Sequence, residues 1–116
     1  MATKKLEWRT AQRRVSDLLP YKRNPRKISA TQMEHLKKSL EKFGLVEIPA
    51  IDVDGKIVAG HQRMAAMALL GREDEMIDCR VPNRKLTESE YKQYLLTSNK
   101  VHGDWDEDLL TEFFDT

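Results

Sequence analysis

The chain has 116 residues, 40% of them apolar and 34% charged, which suits one domain with one core and excludes a disordered chain. A single cysteine, Cys79, excludes an internal disulfide, and no apolar run approaches the roughly 20 residues of a membrane span. The net charge of +1 hides an asymmetry: residues 1–27 carry nine basic side chains against two acids, and residues 86–116 carry eight acids against two bases.

The basic start suits a polyanion such as DNA, although opposite ends that attract each other or face solvent would look the same. The lone thiol and the lack of a signal-peptide pattern point to the reducing cytoplasm. Residues 1–12 show no clear periodicity and read as a flexible basic arm, with residues 13–116 as a single domain. Residues 14–19 read as a first strand ended by Pro20, and residues 21–27 as a basic loop around the turn signal Asn24-Pro25.

Ser29-Ala30-Thr31-Gln32 is a capping box, and Met33, Leu36, Leu40 and Phe43 then form a helical stripe stopped by Gly44. Residues 47–52 and 56–59 read as strands joined by the hairpin signal Asp54-Gly55. A helix follows Gly60, with Met64, Ala65, Ala68 and Leu69 available for its buried side, and Gly71 ends it. Residues 76–81 alternate as a strand. Thr87-Glu88-Ser89-Glu90 is a second capping box, opening a helix to about Ser98, and Asp104 caps a last short helix. The order predicts an α+β fold, a small mixed sheet flanked by helices with two helices at the C-terminal end.

Chemistry concentrates at Gly60-His61-Gln62-Arg63, where a strand gives way to a helix. A helix start offers backbone N–H groups without internal partners and a partial positive charge. Glycine allows close approach, arginine adds a fork matched to phosphate oxygens, and histidine and glutamine add neutral donors. Such a turn can hold a phosphate, or be an ordinary turn with Arg63 in solvent. Arg23-Asn24-Pro25-Arg26-Lys27 could bring further cations, and Ser98-Asn99-Lys100 stands at a predicted helix end.

In order and spacing, several segments resemble the ParB/sulfiredoxin-like superfamily, particularly its phage and methyltransferase-associated members. They are Leu18-Leu19-Pro20-Tyr21 running into Asn24-Pro25-Arg26, then Gly44-Leu45-Val46-Glu47, then Asp54 through Arg63, then Ala65-Ala66, Leu70-Gly71, Ser98-Asn99-Lys100 and Trp105-Asp106. The resemblance implies a nucleotide pocket in which Gly60, His61, Gln62 and Arg63 cradle phosphates, Asn24 and Arg26 add contacts, and Asn99 lies near phosphates and metal. It implies a nucleotide (CTP, or ATP or ADP) carrying Mg²⁺.

The sequence departs from that pattern in places. ParB proteins usually have Glu-Arg where His61-Gln62 stands and a glutamate at the position of Ser98, so Mg²⁺ binding and CTP hydrolysis are weakened on paper, because Mg²⁺ prefers hard oxygen ligands. No residue is assigned as a metal ligand. Sulfiredoxin places its catalytic cysteine at His61, whereas Cys79 falls inside a predicted strand, which argues against that activity. The helix-turn-helix reader and dimer domain of full ParB proteins are not expected within these 116 residues.

Three function classes follow. The first is a nucleotide-binding module in DNA-related processes of a phage, plasmid or bacterium, paired with itself or with a DNA-modifying protein. The second is an enzyme, a nuclease, nucleotidase or small-molecule kinase, with Glu47 or His61 as candidate base, although Glu47 reads more simply as a surface residue at a strand start. The third is a DNA-associated protein using the basic N-terminal region. The reading favours the first, with little or no turnover.

Overall fold

The computed structural model describes residues 5–21 and 28–102, with side chains described through residue 98. Seven elements and one short turn follow in chain order. Strand β1 (Trp8–Arg14) runs into a 3-10 turn at Val15–Asp17, then come helix α1 (Ala30–Phe43) and strands β2 (Ala50–Ile51) and β3 (Ile57–Ala59). Helix α2 (His61–Leu69), strand β4 (Met76–Pro82) and helix α3 (Glu88–His102) complete the fold. The sheet order is β1-β4-β2-β3, with β1 and β3 antiparallel to their neighbours and β2 parallel to β4. The architecture is the expected α+β, a small mixed sheet with helices on both faces.

Local signals account for most boundaries. Ser29 Oγ accepts from Gln32 N–H at 3.1 Å while Gln32 Oε1 accepts from Ser29 N–H at 2.8 Å, so both halves of the first capping box form. Thr87 and Glu90 repeat the exchange at 3.1 and 2.8 Å ahead of α3. At the β2–β3 hairpin, Gly55 takes φ +91° and its N–H donates to Asp52 O at 3.0 Å.

Side-chain alternation gives the sheet two covered faces. Ile51, Ile57, Ile77, Cys79 and Val81 join Leu40 of α1 and Met64, Ala66 and Met67 of α2 in the larger core. On the opposite face Val58 meets Leu86, Tyr91 and Leu95, with Trp8 and Tyr21 packed alongside. Burial pushes the Cys79 thiol up, and its Sγ lies in the core, as expected of an inert cysteine.

Five expectations are corrected, the first being the strand read over 47–52, which is confined to Ala50–Ile51. The first strand lies at Trp8–Arg14 rather than 14–19, and it takes in residues 8–12 that read as an arm. Every residue of β1 pairs with β4, from Trp8 opposite Pro82 to Arg14 opposite Met76. The residues expected to be strand instead turn at Val15–Asp17 and bury Val15 and Leu18. In α2 the buried residues are Met64, Ala66 and Met67, while Ala65, Ala68 and Leu69 are exposed. Phe43, expected in the α1 stripe, is 66% exposed. Finally, α3 continues to His102, so Ser98-Asn99-Lys100 lies within a helix instead of at its end. The expected last helix at Asp104 and the loop Arg23–Lys27 lie outside the described residues.

Candidate phosphate-binding site at the start of helix α2

Gly60 fixes the turn from β3 into α2. Its φ of +98° is left-handed, a region other residues enter at a cost. A Cβ there would stand 3.1 Å from Pro49 Cβ and 3.2 Å from Pro49 Cα, so both backbone conformation and space demand glycine. Met64 N–H is bonded to Gly60 O at 3.0 Å. The N–H groups of His61, Gln62 and Arg63 precede that bond and have no acceptor within the helix. Gly60 has no side chain to cap them, and this end carries the partial positive charge of a helix start.

Gly60 and Arg63 of this turn line a cavity of about 210 Å³, whereas His61 and Gln62 do not line it. Glu47, Gly60 and Arg63 line one side, and Arg80, Tyr94 and Ser98 line the other. The floor is the sheet at Ala50 and Ala59, which are paired across β2 and β3. Four parts of the chain thus supply the site: the stretch before β2, the β3–α2 turn, β4 and α3.

Arg63 is ion-paired with Glu47, the arginine side chain 22% exposed and the glutamate 55%. An arginine aimed at a phosphate therefore has a carboxylate of its own chain as a competitor. Glu47 is a surface residue, as expected, yet it also lines the cavity and touches the principal cation there.

His61 is tied to the segment that precedes residue 22. Its Nε2 accepts from Tyr21 N–H at 3.1 Å, which requires a neutral ring with the proton on Nδ1. The imidazole thereby ties the α2 turn to the segment leading toward residues 22–27, and Nε2 is engaged in that tie. Gln62 is half-buried in the first turn of α2. Ser98 lines the cavity, while Asn99 lies one residue further along α3, its side chain outside the described residues together with all of Asn24 and Arg26.

Sequence reasoning did not single out Arg80, Tyr94 or Trp8. Arg80 extends from β4 across β1, donating from Nη1 to Thr10 Oγ1 at 2.8 Å and from Nη2 to Trp8 O at 3.3 Å. The Trp8 and Tyr94 rings lie 5.7 Å apart at 33°. The alternation of β4 places Arg80 on the α3 face, which was readable, but β1 as its neighbour was not.

A second cavity of about 280 Å³ is larger, lined by Tyr21, Asp52, Lys56, Lys85, Tyr91 and Lys92 among others. Much of its polar lining is already engaged. Lys85 pairs with Asp54 at 2.9 Å and Lys92 with Glu88 at 3.2 Å. Asp52 Oδ1 accepts from the N–H groups of Val53 and Leu86, and the Tyr91 hydroxyl donates to Ile57 O. The smaller cavity is the one lined by Arg63 and by Gly60 at the start of α2.

Among the described residues no group of three His, Cys, Asp or Glu side chains could hold a metal ion. Glu47 is the carboxylate lining the cavity, so the described donors do not make a metal cage. Among the same residues no helix is long and apolar enough to cross a membrane.

No family model matches the chain. The ParB-like nuclease domain-containing protein YnaK of Escherichia coli is 38% identical over 58 residues, covering 50% of this chain and 67% of that protein. Among solved structures, a pNOB8-like ParB N-domain superposes with a TM-score of 0.73 at 16% identity, covering 97% of this chain and 47% of the other. The C-terminally truncated chromosome-partitioning protein ParB of Caulobacter crescentus, complexed with CTP-gamma-S, gives 0.67 at 20% identity over 82% of this chain and 54% of that one. The chain spans about half the length of these solved structures, and at such identities the likeness is one of fold.

Proposed function

The chain belongs to the ParB-like superfamily, and from that premise we propose that it is a nucleotide-binding module whose phosphates lie on the N-terminus of α2 against Arg63. The observation that carries the reading is the convergence of the Gly60 turn at the start of α2 and a partly buried arginine on one cavity. A ParB of the same fold is complexed with CTP-gamma-S, which makes CTP the first nucleotide to try. Asn24, Arg26 and Asn99 would add contacts by resemblance, and Mg²⁺ would enter on the phosphates of the nucleotide. A DNA-related setting in a phage, plasmid or bacterium, with a like chain or a DNA-modifying protein as partner, is the biological context we infer.

Calorimetric titration with each nucleoside triphosphate and Mg²⁺ tests this. Arg63→Ala removes charge-assisted bonds, each contributing roughly 1.5–3 kcal/mol, and should weaken binding by about tenfold or more. An affinity unchanged by Arg63→Ala would overturn the assignment.

A second reading is favoured by the position of Glu47. A carboxylate beside the phosphate-facing arginine could accept a proton from a hydroxyl or a water attacking the terminal phosphate, making the module a phosphotransferase or hydrolase.

A further inference from the structure

The cavity has two chemically different ends. Gly60 and Arg63, the latter paired with Glu47, line it from the start of α2, and Arg80 and Tyr94 line it from β4 and α3, with Ala50 of β2 between β3 and β4 in the sheet. Tyr94 is 43% exposed despite being a large aromatic residue on a helix that otherwise buries Tyr91, Leu95 and Leu96. Its ring is backed by Trp8 at 5.7 Å, so it is braced rather than loose. Arg80 is held by Thr10 Oγ1 and the Trp8 backbone carbonyl, which fixes its guanidinium on the same cavity lining as Tyr94. Two braced planar groups next to a phosphate end suit a flat aromatic ring on the same ligand.

We propose that Tyr94, backed by Trp8 and flanked by Arg80, is the platform on which the base of the nucleotide stacks. The inference rests on the phosphate reading above and adds the part of the ligand that reading leaves open. A stacked base is recognised by its face, which every base has, so this platform gives affinity for nucleotides over bare phosphates and only modest choice among bases. Stacking on an aromatic side chain raises affinity about tenfold or more per base.

The experiment compares two probes, CTP and inorganic triphosphate, on the whole chain by calorimetry. Wild type should bind CTP more tightly than inorganic triphosphate. Tyr94→Leu, which keeps apolar bulk against Trp8, should lose about tenfold for CTP and little for triphosphate, and Tyr94→Phe should behave as wild type. Melting temperatures close to wild type for both variants show that the fold persists. Equal affinity of the wild type for both probes overturns the platform and leaves the phosphate site standing. Equal losses for both probes in Tyr94→Leu, or no loss for either, also overturn it. Failure of the wild type to bind either probe sinks the phosphate reading, and the platform with it.

Discussion

At the residue scale, Gly60 is the least replaceable position in the site. A residue in its left-handed conformation costs of order 1–3 kcal/mol, and the added Cβ must also push Pro49, a backbone-bound neighbour that yields little. Gly60→Ala is therefore expected to lower stability by about 1–3 kcal/mol and to weaken phosphate binding as the first turn of α2 shifts. Chemical denaturation measures the first effect and titration the second. Loss of stability without loss of binding would show that the helix end is not where the anion sits. His61 stands next to this turn in a supporting role, because its Nε2 holds Tyr21 N–H. That bond could not be read from the sequence, since its partner is 40 residues away.

At the element scale, α3 matters most, because it brings Tyr94 and Ser98 to the cavity and Tyr91 and Leu95 to the core. Its start is held by the Thr87–Glu90 box together with Arg84, whose Nη1 and Nη2 reach the two carboxylate oxygens of Glu90 at 2.8 and 2.9 Å. Thr87→Ala should lower stability by about 1 kcal/mol, read from the denaturation midpoint. The Arg84 guanidinium, with the backbone and hydroxyl of Thr87, holds the Glu90 carboxyl down from 4.5 to about 2. Because the folded value is the lower one, this contribution is complete above pH 4.5, shrinks as pH falls and is lost below about pH 2. Melting temperature followed across that window should fall less steeply in Glu90→Gln than in wild type. Elements set by local chemistry were legible: both capping boxes, the Asp54-Gly55 turn and the strand–Gly60–helix junction lie where the residues put them. Strand β1 was not legible, because as an edge strand its polar residues Arg9, Thr10, Gln12 and Arg14 face solvent and its pairing comes from β4, far along the chain. The phase of α2 was likewise not legible, because Met64, Ala65, Ala66, Met67, Ala68 and Leu69 are all apolar and only packing against the sheet core selects Met64, Ala66 and Met67.

At the scale of the whole molecule, the question is whether four converging segments make a binder or a catalyst, and two substitutions separate the answers. Glu47 competes with any phosphate for Arg63. In a pure binding module, Glu47→Gln removes that competitor and should tighten nucleotide binding several-fold, because a neutral amide holds the guanidinium less strongly than a carboxylate. In an enzyme using Glu47 as base, the same change should abolish phosphate release whatever it does to affinity. We expect tighter binding and no turnover to lose. The reason is Ser98, which lines the cavity where ParB proteins usually carry a glutamate. Without that carboxylate the site has fewer hard oxygen ligands for Mg²⁺, the ion that neutralises charge as a phosphoryl group transfers. Ser98→Glu is therefore the complementary test: it should strengthen the Mg²⁺ dependence of binding, followed by titrating metal at fixed nucleotide. Phosphate release that appears only in Ser98→Glu would identify the missing carboxylate as the reason the parent is silent. Robust release by the parent, lost in Glu47→Gln, would instead move the chain into the enzyme class and make Arg63 and Glu47 a catalytic pair.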